Sequence, residues 1–103
     1  MDKFITELEP RYCNNKSFYK KAYVEYYNGF NVLKSYDTVI MAVRGDMLVT
    51  TDAYNYSNTT SRHVHEFLKQ YFIDLSSKDL QRLYKLNPWN GNLHYLDTLT
   101  ISA

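Results

Sequence analysis

Apolar and polar positions change period partway along this chain. From Phe18 to Tyr27 the residues are rich in β-formers, and Asn28-Gly29 follows, a dipeptide that tolerates the positive φ angles of a tight hairpin turn. Phe30 to Ser35 then returns, in a register that sets Val24 opposite Leu33 and Tyr27 opposite Phe30. Thr38 to Val43 is more apolar and reads as a central strand. Arg44-Gly45-Asp46 makes a turn, and Met47 to Thr51 is a fourth strand. After a polar stretch from Asp52 to Thr60 the spacing becomes three and four. Val64, Phe67, Leu68 and Tyr71 form one apolar stripe of a helix capped by Thr59 or Thr60. Arg62 and Glu66 are then i,i+4 partners on its wet side.

A second helix begins at Ser76. Ser76 and Asp79 have capping-box spacing, and Leu75 and Leu80 are placed for a hydrophobic staple. Leu80, Leu83 and Tyr84 give its stripe, and Asn87-Pro88 ends it. Trp89 to Asn92 is a turn, and Leu93 to Ile101 alternates loosely, as a final strand would. Phe4, Ile5 and Leu8 fit either a short helix ending before Pro10 or an arm packed on the core or on a partner. The expected organisation is a single domain over 1–103: an N-terminal arm (1–16), a β-meander (17–52), helices at 60–72 and 76–87, and a last strand at 93–101. The expected fold class is α+β, an antiparallel four- to five-stranded sheet with two helices packed on one face.

Composition narrows the function classes. The chain has 103 residues, 45% hydrophobic and 22% charged, enough for one core and too apolar for disorder. A net charge of +1 gives no overall drive toward nucleic acid. Locally, Arg11, Lys16, Lys20, Lys21 and Lys34 face one anion, Glu25. They form either a basic strip or an edge strand guarded by lysines. The lone Cys13 suits a reducing compartment, and no apolar run reaches the ~20 residues that cross a membrane. The expectation is a cytoplasmic protein without membrane contact. Eleven Tyr are more than so small a core needs, which points to a Tyr-bearing contact face.

Chemistry is sparse. His63, His65, Glu66, His94 and Cys13 are the possible metal ligands. On a helix His63 and His65 lie about 200° apart, and the reading is of no metal and no cofactor. Neither Cys13 nor a serine has a local histidine and acid to activate it, and the three glycines all sit in expected turns. The residues read as a non-enzyme. Arg44-Gly45-Asp46 is explained by its hairpin. The sequons at Asn15, Asn55 and Asn58 carry no weight without a secretory signal. Two binding readings remain. Tyr54, Tyr56, Thr59, Thr60, Arg62, His63 and Glu66 compose a protein contact around the start of the first helix. Alternatively, Arg11, Lys16, Lys20 and Lys21, interleaved with Tyr12, Phe18, Tyr19 and Tyr23, compose a nucleic-acid contact.

The segment with Ser35, Tyr36 and Thr38, then Ser57, Thr59, Thr60, Arg62, His63, Phe67, Leu68 and Gln70, resembles a family of small proteins carried by phages and mobile elements of Gram-positive bacteria. The resemblance spans about forty residues and is most specific in Thr59-Thr60-x-Arg62-His63. Similar modules occur in some anti-CRISPR inhibitors of type II effector nucleases. The resemblance therefore implies a phage-encoded inhibitor of a host defence nuclease, acting by stoichiometric protein binding, with nucleic acid reached through the nuclease complex. The alternative is a small nucleic-acid-binding phage regulator.

Overall fold

The computed structural model describes residues 4–12 and 21–99. Five antiparallel strands follow one another across a single sheet: β1 (Phe4–Glu7), β2 (Ala22–Tyr27), β3 (Phe30–Ser35), β4 (Thr38–Arg44) and β5 (Met47–Thr50). A 3-10 turn (Asp52–Asn55) leads into α1 (Asn58–Tyr71), α2 (Ser77–Leu86) and α3 (His94–Leu99). The fold is α+β, as the change of period implies.

The β2–β3 hairpin has the expected register, Val24 opposite Leu33 and Tyr27 opposite Phe30. Its turn needs Asn28 at φ 49° and Gly29 at φ +88°. A Cβ on Gly29 would also sit 3.1 Å from the Arg44 Nε. Between Leu33 and Lys34 the β3–β4 register slips by a bulge at Ile40. Ile40 and Met41 therefore turn to the same face.

Two elements differ from the sequence reading. Phe4–Glu7 is not the short helix; the segment packs on the rest of the fold, as a strand rather than an irregular arm. It pairs with β2 from Phe4–Tyr26 to Glu7–Tyr23, so β1 takes the sheet edge that β2 was expected to occupy. Four residues of largely β-forming type close to Pro10 leave no room for a stable helix, while β2 offers an open edge. The final strand expected at 93–101 is instead the helix His94–Leu99, up to the last described residue. Leu93, Leu96 and Leu99 recur every three residues, a helical spacing that loose alternation hides.

Alternation along the strands gives the sheet two buried faces. On the first, Val24, Leu33, Ile40, Met41 and Val43 pack with Val64, Phe67 and Leu68 of α1 and Leu80 of α2. On the second, Phe30, Val32, Ala42 and Val49 pack under Trp89 and Leu96. The two long helices thus share one face as expected, and a third, short helix covers the other. Ser76 and Asp79 form the expected capping box. Among the described residues no helix is long and apolar enough to cross a membrane.

Candidate functional site

The start of α1 is built from hydroxyls. Ser57 is its N-cap, accepting from the Thr60 N–H at 3.1 Å and donating to the Thr60 Oγ1 at 3.2 Å. The cap therefore lies two to three residues earlier than Thr59 or Thr60. This shift leaves Thr60 buried and turns its neighbours one turn down inward.

His63 is fully buried, not a solvated first-turn histidine. Its Nδ1 lies 2.8 Å from the Oγ of Ser35, which is also buried at the end of β3. Burial, and secondarily the nearby Lys21 ammonium, lowers its pKa to about 4, so the ring is neutral at pH 7. A neutral imidazole beside a hydroxyl has the makings of a nucleophile pair, but both partners lie inside the packing, out of reach of a substrate carbonyl.

Glu66 also turns inward, so it is not the wet-side partner of Arg62. Its carboxylate accepts the backbone N–H of Arg11 at 2.9 Å and of Tyr12 at 2.9 Å, and the Gln70 amide at 2.6 Å. Gln70 reaches on to the Glu9 carbonyl at 2.6 Å. Together they fasten the chain leaving β1 to the side of α1. Tyr54 is buried as well, beneath the start of α1. Of the seven residues expected at a protein contact, Tyr56 and Arg62 are exposed and Thr59 is half-buried, while Tyr54, Thr60, His63 and Glu66 hold the fold.

What these buried groups hold in place is a surface. Glu66 presents Arg11 and Tyr12, the latter 60% exposed. Arg62 and Lys69, four residues before and three after Glu66, flank that position on α1 and are exposed. Beside His63 stands Tyr36, its ring centroid 6.3 Å from the imidazole, and Lys21 lies 5.8 Å from the Tyr36 centroid. Tyr36 is half exposed at φ 57°, a left-handed conformation uncommon for a bulky side chain. Among the described residues Arg11, Lys21, Arg62 and Lys69 make no salt bridge.

Of the expected nucleic-acid contacts, Arg11 and Lys21 thus join Tyr12 along this side of α1, while Tyr23 lies half-buried on the opposite face of the sheet. Lys16, Lys20, Phe18, Tyr19 and Cys13 lie outside the described residues. Tyr36 and Lys69 were in neither expected set. The signal for Tyr36 was the two-residue connection Tyr36-Asp37 between strands that need a tight turn.

Among the described residues no group of three His, Cys, Asp or Glu could hold a metal ion. His65 pairs instead with Asp74 at 3.1 Å and His94 with Asp97 at 3.6 Å. An open cleft of about 440 Å³ is lined by Pro88, Trp89, Asn90, Asn92, His94 and Tyr95. All six belong to the segment after α2, far along the chain from the α1 surface.

No curated protein and no solved structure matches the chain. One family model does, over residues 6–85, which takes in β2 to β5, α1 and nearly all of α2, and with them every side chain of the surface just described. With well over half its length matched, the chain belongs to DUF8033, a family of unknown function.

Proposed function

We propose that the protein is a non-enzymatic binding module whose contact face is the side of α1 bearing Arg62 and Lys69, with Arg11, Tyr12, Lys21 and Tyr36 beside it. One observation carries the reading. The polar residues best suited to chemistry, Ser35, His63 and Glu66, are buried and bonded within the protein, and what they hold outward is tyrosine and cation. Exposed tyrosines and arginines are the residues interfaces favour. Cations that make no salt bridge among the described residues stand beside them and suit an acidic partner surface. The choice of a host defence nuclease as partner, and of an anti-CRISPR mode of action in a bacterial cytoplasm, comes from the resemblance of the Ser35–Gln70 segment.

The test is to titrate the protein into guide-loaded type II CRISPR nucleases and follow DNA cleavage and co-elution. Loss of cleavage near one-to-one, weakened by Tyr36→Ala or Arg62→Ala, is the expected result. Full cleavage without co-elution across the panel removes the nuclease as target.

A second reading is favoured by Arg11 and Lys21 lying with two exposed tyrosine rings: direct binding of single-stranded nucleic acid, bases on the rings and phosphates on the cations. It predicts retardation of a single-stranded oligonucleotide by the protein alone, lost as salt rises. No retardation at low salt discards it.

A further inference from the structure

The chain leaving β1 is fastened to α1 through its backbone. Leu8 is buried in the core, with its N–H on the Ala22 carbonyl at 2.8 Å. The strap that follows, from Glu9 to Tyr12, meets a clamp of two side chains. Glu66 and Gln70 lie one turn apart on α1 and share a face. One oxygen of the Glu66 carboxylate accepts the Arg11 N–H and the other the Tyr12 N–H, both at 2.9 Å. The Gln70 amide donates to the Glu9 carbonyl at 2.6 Å and braces the carboxylate at 2.6 Å. Every bond from clamp to strap ends on a backbone atom of the strap.

This choice of partners has a chemical logic. Consecutive N–H groups form a concave site for an anion, and a charged acceptor strengthens each bond. Glu66 is buried, and a carboxylate is costly to bury unless donors surround it. Apolar packing would close the same gap without burying a charge. What the carboxylate adds is a fixed backbone position that asks nothing of the side chains attached to it. Those side chains stay at the surface, Arg11 and Tyr12 both exposed. Exposed Arg62 and Lys69 flank the clamp on α1, so the strap adds a cation and a ring to a basic surface.

We propose that Arg11 and Tyr12 are the specificity-determining residues of the contact face, and that Glu66 with Gln70 is a sequence-blind clamp that positions them for an acidic segment of a partner protein. The inference rests on the contact face proposed above. The arrangement separates holding from reading. Holding needs an N–H at positions 11 and 12, which every residue except proline supplies. Reading falls to an arginine and a tyrosine, the residues that interfaces favour as anchors. Because the strap is ordered before a partner arrives, association loses less entropy in fixing it. Charge complementarity with Arg11, Arg62 and Lys69 selects the acidic segment.

The clamp is tested on the full chain without a partner. Tyr12→Pro removes one N–H and should lower the urea midpoint about as much as Glu66→Ala, and combining the two should lower it no further. Arg11→Ala and Tyr12→Ala should leave the midpoint unchanged. Reading is tested with a fluorescent poly-glutamate peptide at low salt. Arg11→Ala and Tyr12→Ala should each weaken its binding at least about fivefold. Glu66→Ala should weaken it too, and in that background the two strap substitutions should have no further effect, a dependence that a merely structural Glu66 would not produce. Strap alanines that lower the midpoint as Glu66→Ala does, or binding losses that simply add, overturn the clamp. Binding lost in Tyr36→Ala and Arg62→Ala but kept in both strap alanines overturns the specificity assignment and leaves the contact face standing. A parent that does not bind poly-glutamate, or binding indifferent to all these substitutions, overturns the contact face and the inference with it.

Discussion

Consider the two faces of the one sheet. Alternate residues of the same strands supply both, and both bury their central side chains almost completely. Yet the first is sealed by α1 and α2 with buried polar groups that cross between elements: Ser35 on β3 to His63 on α1, and Glu66 on α1 to the chain leaving β1. The second is sealed by one short segment whose hydrogen bonds run mostly inward on itself. Equal burial therefore does not mean equal integration. Both faces carry polar ties between distant parts of the chain, buried on the first and at the rim on the second. The cover of the second is held mainly by apolar contact, through Trp89 and Leu96.

The sharpest way to break this contrast is to cut a cavity on each side. Phe67, fully buried on the first face, should cost about 3–5 kcal/mol of global stability as Phe67→Ala, read as a lower urea midpoint for the whole protein. Leu96 is equally buried on the second, but its loss as Leu96→Ala should appear mainly as faster exchange in α3, with a smaller shift of the midpoint. A single shared transition, shifted equally by both substitutions, would erase the distinction.

The pH dependence tests the polar side of the first face. His63 has a folded pKa of about 4 against an ordinary 6.5, lowered by burial and by Lys21. The unfolded chain therefore takes up this proton first as pH falls. The contribution is complete above pH 6.5 and shrinks progressively down to pH 4, where it is gone, a span of about 3 kcal/mol. Urea midpoints measured across this range should fall more steeply for the parent than for His63→Gln. Parallel curves would mean that the fold does not hold the imidazole neutral. Glu66→Ala comes next in size, at about 2 kcal/mol, since it strands two backbone N–H groups and the Gln70 amide. Its signature is release of the 9–12 segment, read by proteolysis, with the second face untouched.

Local chemistry made much of this fold legible. The Asn28-Gly29 hairpin, its register and the Ser76–Asp79 box follow from residues within a few positions of one another, where turn and cap rules act. The misses share a different cause. His63 and Glu66 look polar and are buried because partners 28 and 55 residues away, Ser35 and Arg11, satisfy them. No periodicity in the helix announces a bond of that reach. The stripe Val64, Phe67, Leu68 and Tyr71 marked the apolar centre of α1 but not its polar flank, so the candidate contact moved from the helix start to what that flank holds. α3 was misread because six residues contain too few turns to distinguish alternation from a spacing of three.

Tyr36 gives the smallest effect and the most direct link between structure and use. A tyrosine at φ 57° stands where asparagine or glycine is at ease. Replacing it with glycine, Tyr36→Gly, should raise stability by about 0.5–1 kcal/mol if relief of strain outweighs the lost contacts with His63 and Lys21. The same substitution should weaken partner binding, because the half-exposed ring is gone. Gain in one and loss in the other would identify Tyr36 as a residue held against its backbone preference for the sake of contact. A variant that is less stable and still binds would show the reverse: the ring serves to shield His63, and the contact face lies further along α1, toward Arg62 and Lys69.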